Sequence, residues 1–284
     1  MTERTNLTEV LLGPADAAEA VALSAEAGWN QTVDDWALML EFGAGFGRRD
    51  RYGRLVATAL TLPYPPFAWI AMVLVTKTWQ RRGLATELLR TCIDDAERSG
   101  LVAGLDATPA GTLVYRPLGF EAVYGLTRMR AETVAPIKTI AGPVRAMTEA
   151  DLDTVLAFDR KLFGAERSGV LRHLFGRQPG HAFLAEVSGT VSGYVLAREG
   201  REATQIGPLA APDESTACAL VGAALADLKG AVYLDVGDRH TSLLSWLDDH
   251  GFAPQRPYTR MIMGRAKPYD DAASQYAIAG PELG

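Results

Sequence analysis

The chain has 284 residues, 48% of them hydrophobic and 22% charged, with a formal net charge of −6. That length is ample for two domains, the composition is that of an ordinary globular protein, and the acidic balance argues against a nucleic-acid partner, whose binders are normally basic. No run approaches a membrane span, and Met1-Thr2-Glu3-Arg4 leads into no apolar signal core, so a cytoplasmic protein is expected. The two cysteines, Cys92 and Cys218, and the four histidines, His173, His181, His240 and His250, lack metal-ligand spacing. Reduced core thiols, surface or capping imidazoles and no metal are the expectation.

In chain order, Thr8 to Leu12 reads as a first strand, and Pro14 opens a helix that runs to about Ala27, where Gly28 is placed to end it. Trp29-Asn30-Gln31 forms a loop, and Thr32 caps a second helix with Asp34 and Asp35 in its first turn. Arg51-Tyr52-Gly53-Arg54 reads as a hairpin turn into a strand from Leu55 to Leu60, which Pro63-Tyr64-Pro65-Pro66 is expected to break. Trp69 to Thr76 is an apolar run too short for a helix of its own and suited to a buried strand. A helix follows, with Leu84, Leu88, Leu89, Cys92, Ile93 and Ala96 on one face. Leu101 to Ala107 forms another strand, a short helix carries Tyr115, and Phe120 begins a last strand pair through Met129.

The turn between the Trp69 strand and its helix carries the chemistry. The first amides of a helix lack internal partners and point outward, with the macrodipole adding positive potential. Gly83 has no side chain to block close approach, Ala85 has only a methyl, and Arg81 and Arg82 add charge beside them. The stretch reads as a pyrophosphate cradle. The plain alternative is an ordinary strand-to-helix turn with solvated arginines.

Gln80-x-x-Gly83-x-Ala85 after a Val-rich strand resembles the acetyl-CoA motif of the GNAT superfamily of N-acetyltransferases. Val114-Tyr115-Arg116-Pro117-Leu118-Gly119-Phe120 is similar to that family's aromatic-Tyr-x-x-Leu-Gly-Phe ending, with Val in place of the first aromatic and an uncommon Pro117. The resemblance implies that the Trp69 strand and the Leu101 strand splay apart. The pantetheine arm of acetyl-CoA would then bond to backbone groups of Val73, Leu74 and Val75. The diphosphate would rest on Gln80, Arg81, Arg82, Gly83, Leu84, Ala85 and Thr86. It also implies that Tyr115 is the acid that protonates the leaving thiolate; the bland alternative is a core tyrosine. The Trp69 strand lacks the carboxylate base many relatives use, leaving Asp106, Asp35, ordered water or an amine that binds already neutral. By the same resemblance the loop and helix after the first strand wall the acceptor site, making Trp29, Asn30, Gln31, Asp35, Trp36 and Phe46 candidates, against the alternative that the tryptophans fill the core.

The second half repeats the first. Gly119-Phe120 and Thr127-Arg128-Met129 recur at the same spacing as Gly251-Phe252 and Thr259-Arg260-Met261. Val144 to Met147 reads as a strand, with Thr148 capping a helix; a hairpin turns at Ser188-Gly189. Gln205 to Ala211 takes the place of the Trp69 strand, followed by a helix from Ala217 to Leu228 and a strand from Ala231 to Val236. Pro212-Asp213-Glu214-Ser215-Thr216 replaces the Gln-Arg-Arg-Gly stretch, and acids there repel a diphosphate. Leu247 stands where the first half has Tyr115. The stretch from Phe158 to Phe175 either faces the acceptor pocket or is a solvated helix with a buried stripe.

The expected architecture is thus α/β (an α+β mixed sheet): two tandem GNAT-like domains, each a mixed central sheet flanked by helices. Residues 1–134 form the acetyl-CoA-binding and catalytic domain, 143–264 a domain without cofactor, 265–284 a tail, and Ala131 to Gly142 the linker. The expected activity is transfer of an acetyl group from acetyl-CoA to a primary amine of a small molecule or peptide, by a monomer or homodimer. The alternative is a non-catalytic acyl-CoA sensor; a Rossmann dehydrogenase fits the glycine pattern poorly.

Overall fold

The computed structural model describes residues 7–134 and 144–284. The expected linker falls mostly outside them, as does Met1–Arg4. The chain divides into two compact units, Met1–Leu105 and Asp106–Gly284.

The first unit contains β1 (Thr8–Leu12), α1 (Ala17–Glu26), α2 (Val33–Phe42), β2 (Ala44–Arg49), β3 (Leu55–Tyr64), β4 (Phe67–Val75), α3 (Leu84–Arg98) and the start of β5 (Val102–Ala107). Its strands are ordered β1-β2-β3-β4-β5, antiparallel except for the parallel pair β4–β5. The six apolar residues expected on one face of α3 are all buried, Leu88, Leu89 and Cys92 completely. Burying a leucine stabilises the fold by about 1.5–3 kcal/mol, so this stripe alone fixes α3 to the sheet.

One strand runs further than the sequence implies. β3 continues through Pro63, which pairs with Ala68, to Tyr64, which pairs with Phe67. Proline is tolerated there because the ladder on the other side, with β2, ends at Thr61.

The second unit holds α4 (Pro109–Tyr115), β6 (Phe120–Ala131), β7 (Val144–Ala146), α5 (Leu152–Phe163), α6 (Ser168–Arg177), β8 (Phe183–Val187), β9 (Thr190–Arg198), β10 (Thr204–Ala210), α7 (Glu214–Leu225), β11 (Val232–Gly237), α8 (Thr241–Asp249), β12 (Ala253–Met263) and β13 (Gln275–Ala277). Its sheet order is β12-β6-β11-β13-β10-β9-β8-β7, with a further β10–β11 pairing. β6 is one twelve-residue strand rather than a strand pair. It is hydrogen-bonded on both edges, to β12 over Phe120–Arg130 and to β11 over Leu126–Ala131. This double pairing ties β6 to strands of the second half, and β6 lies in the Asp106–Gly284 unit with them. A core of β9, β10, β11 and α7 residues, with Leu243, Leu247 and Phe252, fills the unit.

Buried arginines recur in the second unit. Arg128 makes a bidentate pair with Asp235 at 2.7 and 2.8 Å, and Arg167 pairs with Asp159 at 2.9 and 2.7 Å. Guanidinium geometry suits such forks, and each carboxylate offsets the desolvation of its arginine.

Candidate active site

β4 is irregular at its centre. Thr58 pairs with Leu74 and Leu60 with Ala71, so the single residue Ala59 stands opposite Met72 and Val73. This is a β-bulge, which bends a strand and re-aims its groups. Met72 has φ +53°, a left-handed conformation that costs a non-glycine residue roughly 1–2 kcal/mol, and its carbonyl accepts a 2.8 Å bond from the Thr58 hydroxyl. Sequence offers no signal for such a bulge at a methionine.

On the opposite edge, the parallel ladder to β5 joins Phe67–Trp69 to Val102–Gly104 and ends there. Val73, Leu74 and Val75 lie beyond that point, and Leu74 and Val75 pair with Thr58 and Ala57 of β3. The β4–β5 ladder thus stops short of those three residues.

The loop that follows is pinned. Thr76 N–H donates to Val56 at 2.9 Å and Lys77 N–H to the Glu26 carboxylate at 2.9 Å. A single 3-10 turn, Lys77–Trp79, leads to Gln80, whose side-chain amide donates to the Val75 carbonyl at 3.1 Å. Arg81 is left-handed at φ +60° and Gly83 at φ +85°, where glycine has no steric penalty. The Arg82 guanidinium lies 4.7 Å from the Trp79 ring centroid and donates to the Thr78 carbonyl. α3 begins at Leu84, and Glu87 N–H donates to Gly83 at 3.0 Å. The amides before Glu87 therefore have no preceding turn to accept them. Gln80, Arg81 and Gly83 are exposed, Arg82, Ala85 and Thr86 partly so, and Leu84 is buried. Beyond the end of the β4–β5 ladder, β4 thus runs into a helix start lined by small residues and arginines, which suits a long polar chain ending in a diphosphate.

The expected acceptor residues divide. Trp36 is completely buried and its indole N–H donates to the Ser24 hydroxyl at 2.8 Å. Asp35 is also buried and closes a capping box: its carboxylate accepts from Thr32 N–H at 2.8 Å while Asp35 N–H donates to the Thr32 hydroxyl. Both hold structural positions at the start of α2 rather than presenting a free group. Trp29 is partly exposed; Asn30, Gln31 and Phe46 are buried, and the Gln31 side-chain oxygen is a buried acceptor with no partner.

In the second unit, Thr108 caps α4 through Gly111 N–H at 3.2 Å, and Tyr115 ends the helix with its ring 6.1 Å from that of Phe120. Tyr115 is partly buried, and desolvation pushes its hydroxyl above the usual phenol range, so it stays protonated at neutral pH. Asp106 is fully enclosed, each oxygen bonded to Arg260 at 3.0 and 2.8 Å; Arg260 also pairs with Asp270, which accepts from the Tyr124 hydroxyl at 2.5 Å. Burial pushes the Asp106 carboxyl up while Arg260 opposes it. A residue so engaged is a poor base. Cys92 is pushed up to about 12 by burial and offers no nucleophile.

Among the described residues no helix is long and apolar enough to cross a membrane, and no group of three or more His, Cys, Asp or Glu side chains is placed to hold a metal.

Two family profiles match the chain in tandem: the Acetyltransferase (GNAT) family over residues 19–120 and an Acetyltransferase (GNAT) domain over residues 155–277. The first span contains both the Gly83 turn and Tyr115. The chain belongs to the GNAT acetyltransferase family, as an acyltransferase with two such domains, a family that uses acyl-CoA and acts on amine acceptors. It is similar to the uncharacterized N-acetyltransferase YitH of Bacillus subtilis, 25% identical over 81% of this chain and 82% of that one. It is also similar to the holothin acyltransferase of a Pseudoalteromonas species, 24% identical over 89% and 91%. A tandem GNAT protein from the clavulanic acid biosynthesis pathway shares its fold, with a TM-score of 0.62 at 16% identity over 90% and 98% of the chains.

Proposed function

We propose that the protein transfers an acetyl group from acetyl-CoA to a primary amine of a small molecule or peptide, by direct attack of the amine on the thioester carbonyl. The observation that carries this proposal is the end of the β4–β5 ladder at Trp69 and Gly104, beside the Met72 bulge and directly before the Gly83 helix start. Backbone groups of Val73, Leu74 and Val75 hold the pantetheine arm as an added strand is held, so affinity comes from the main chain rather than from side chains. Gln80 to Thr86 hold the diphosphate, with Arg81 and Arg82 supplying charge. An amide near Leu74 polarises the carbonyl.

Tyr115 is the acid for the departing thiolate. Its desolvated phenol keeps its proton at neutral pH and gives it to a base of comparable strength. With Asp106 held by Arg260 and Asp35 closing a helix cap, the amine loses its proton to ordered water or arrives neutral. Trp29 and Asn30, in the loop between α1 and α2, contribute to the acceptor side, whereas Asp35 and Trp36 support that loop from beneath. The protein acts in the cytoplasm as a monomer or homodimer.

The test is a calorimetric titration with CoA followed by thiol release from acetyl-CoA across a panel of small amines and peptide N-termini. Binding with turnover on at least one amine is expected. Binding with no turnover on any amine favours an acyl-CoA sensor, and no binding overturns the proposal.

A further inference from the structure

In the second unit β10 and β11 repeat the geometry of β4 and β5. They run parallel over Thr204–Ile206 against Val232–Leu234, and the register of β10 with its other neighbour, β9, shifts between Ile206 and Leu209. Here the chain itself enters the opening. In β13, Ala277 pairs with Leu209 of β10 and with Val236 of β11, and Gln275 pairs with Ala210. Ala211 N–H donates to the Ser274 carbonyl at 3.0 Å, and Ile278 N–H donates to the Asp235 carbonyl at 3.1 Å. Main-chain groups of both walls are therefore satisfied by one inserted strand.

The fit is close. A Cβ on Gly207 would stand 2.0 Å from the Ile278 carbonyl oxygen, so only glycine leaves room for the segment. Tyr276 stacks on the His240 ring with centroids 3.9 Å apart, and His240 Nε2 lies 3.1 Å from both the Ala272 and Gln275 carbonyls. Arg198 donates to the Ala279 carbonyl at 2.6 Å and pairs with Glu282; Arg167 donates to the Gly284 carbonyl at 3.0 Å. At the start of α7, where a diphosphate would sit, the Asp213 carboxylate already accepts Thr216 N–H at 2.8 Å.

We infer that the second cleft is a strand-accepting site for extended polypeptide, filled in cis by Gln275–Ile278. The inserted strand stands where the first unit takes the pantetheine arm, a correspondence that rests on the function proposed above. One chain therefore binds one acyl-CoA, not two. The ligand class is set by the walls: alternating main-chain donors and acceptors, a ring against His240 and a small side chain between β10 and β11.

The test introduces a specific protease site between Lys267 and Pro268 of the full chain, cuts the folded protein, and offers a fluorescent peptide of residues 268–284. Exchange of the labelled peptide into the nicked protein at one per chain is expected, with unlabelled native peptide competing. A peptide carrying Ala277→Pro, which cannot complete the ladder, is expected to compete at least tenfold more weakly. Because the substitution lies in the peptide, the host fold is unaffected. Equal competition by the proline peptide overturns the inference, as does a second equivalent of CoA bound by the intact protein. If no CoA binds at all, the function proposal fails while the peptide exchange still decides this one.

Discussion

Gly111 lies directly beneath the ring of Tyr115: a Cβ on Gly111 would stand 2.8 Å from Tyr115 Cε2 and 3.3 Å from its hydroxyl oxygen. The two residues are one helical turn apart on α4, so the missing side chain at the first sets the position of the phenol at the second. Gly111→Ala raises helix propensity by up to about 1 kcal/mol while forcing the ring aside. The melting temperature is expected to hold or rise, and turnover to fall at least tenfold, with little change in CoA affinity. Tyr115→Phe is expected to lower turnover in the same way; unchanged turnover in that variant removes Tyr115 from the mechanism.

The left-handed turn at Gly83 makes a different prediction, with a control at the other end of the same helix. Gly83 and Gly100 have φ values of +85° and +69°, so an alanine at either position adds roughly 1–2 kcal/mol of backbone strain. Gly83→Ala is expected to weaken CoA binding at least tenfold by calorimetry. Gly100→Ala, with open space around its Cβ, is expected to lose stability comparably and keep its CoA affinity. Equal affinity in both variants argues against a diphosphate seat at residue 83.

Arg128 and Asp235 provide a stability test. The pair is buried, Gln205 donates a further bond to Asp235 at 3.1 Å, and the guanidinium lies 4.8 Å from the Tyr233 ring centroid. Asp235→Asn leaves a buried cation without its counter-charge and is expected to cost about 3–5 kcal/mol in urea unfolding. The double variant Arg128→Met with Asp235→Leu is expected to recover most of that loss.

His240 predicts how the second unit responds to acid. Burial lowers its pKa below 6.5, and it faces Glu214 at 3.9 Å, the Arg239 charge and the Tyr276 ring. Above about pH 6.5 the folded and unfolded imidazoles are both neutral and no stability is lost. As pH falls below that value the unfolded chain takes up a proton that the folded chain resists, so stability decreases until the folded pKa is passed. The melting temperature of wild type is expected to fall through this window, more steeply than that of His240→Gln, whose amide N–H can still donate to a carbonyl.

Much of the architecture is legible from local rules. The apolar stripe from Leu84 to Ala96, the Thr32 cap of α2 and the Ser188-Gly189 hairpin need only neighbours in sequence, and each stands in the structure as expected. Pro63 inside a ladder, β6 as one doubly paired strand and a buried His240 were not legible, because each depends on what another segment leaves open or fills. For the candidate site, the Gly83 turn announces itself by composition, whereas the bulge at Met72 has no residue signature.

The sequence by itself determined the family, the tandem repeat and the turn that suits a diphosphate, since these follow from residue type and spacing along the chain. Only the tertiary structure decided that Trp36 is buried with its indole on Ser24, that Asp106 is held by Arg260, and that Gln275–Ile278 enter the β10–β11 opening. Those outcomes turn on which distant partner satisfies a buried carboxylate or an open strand edge, and desolvation makes leaving either unsatisfied too costly for any local preference to override.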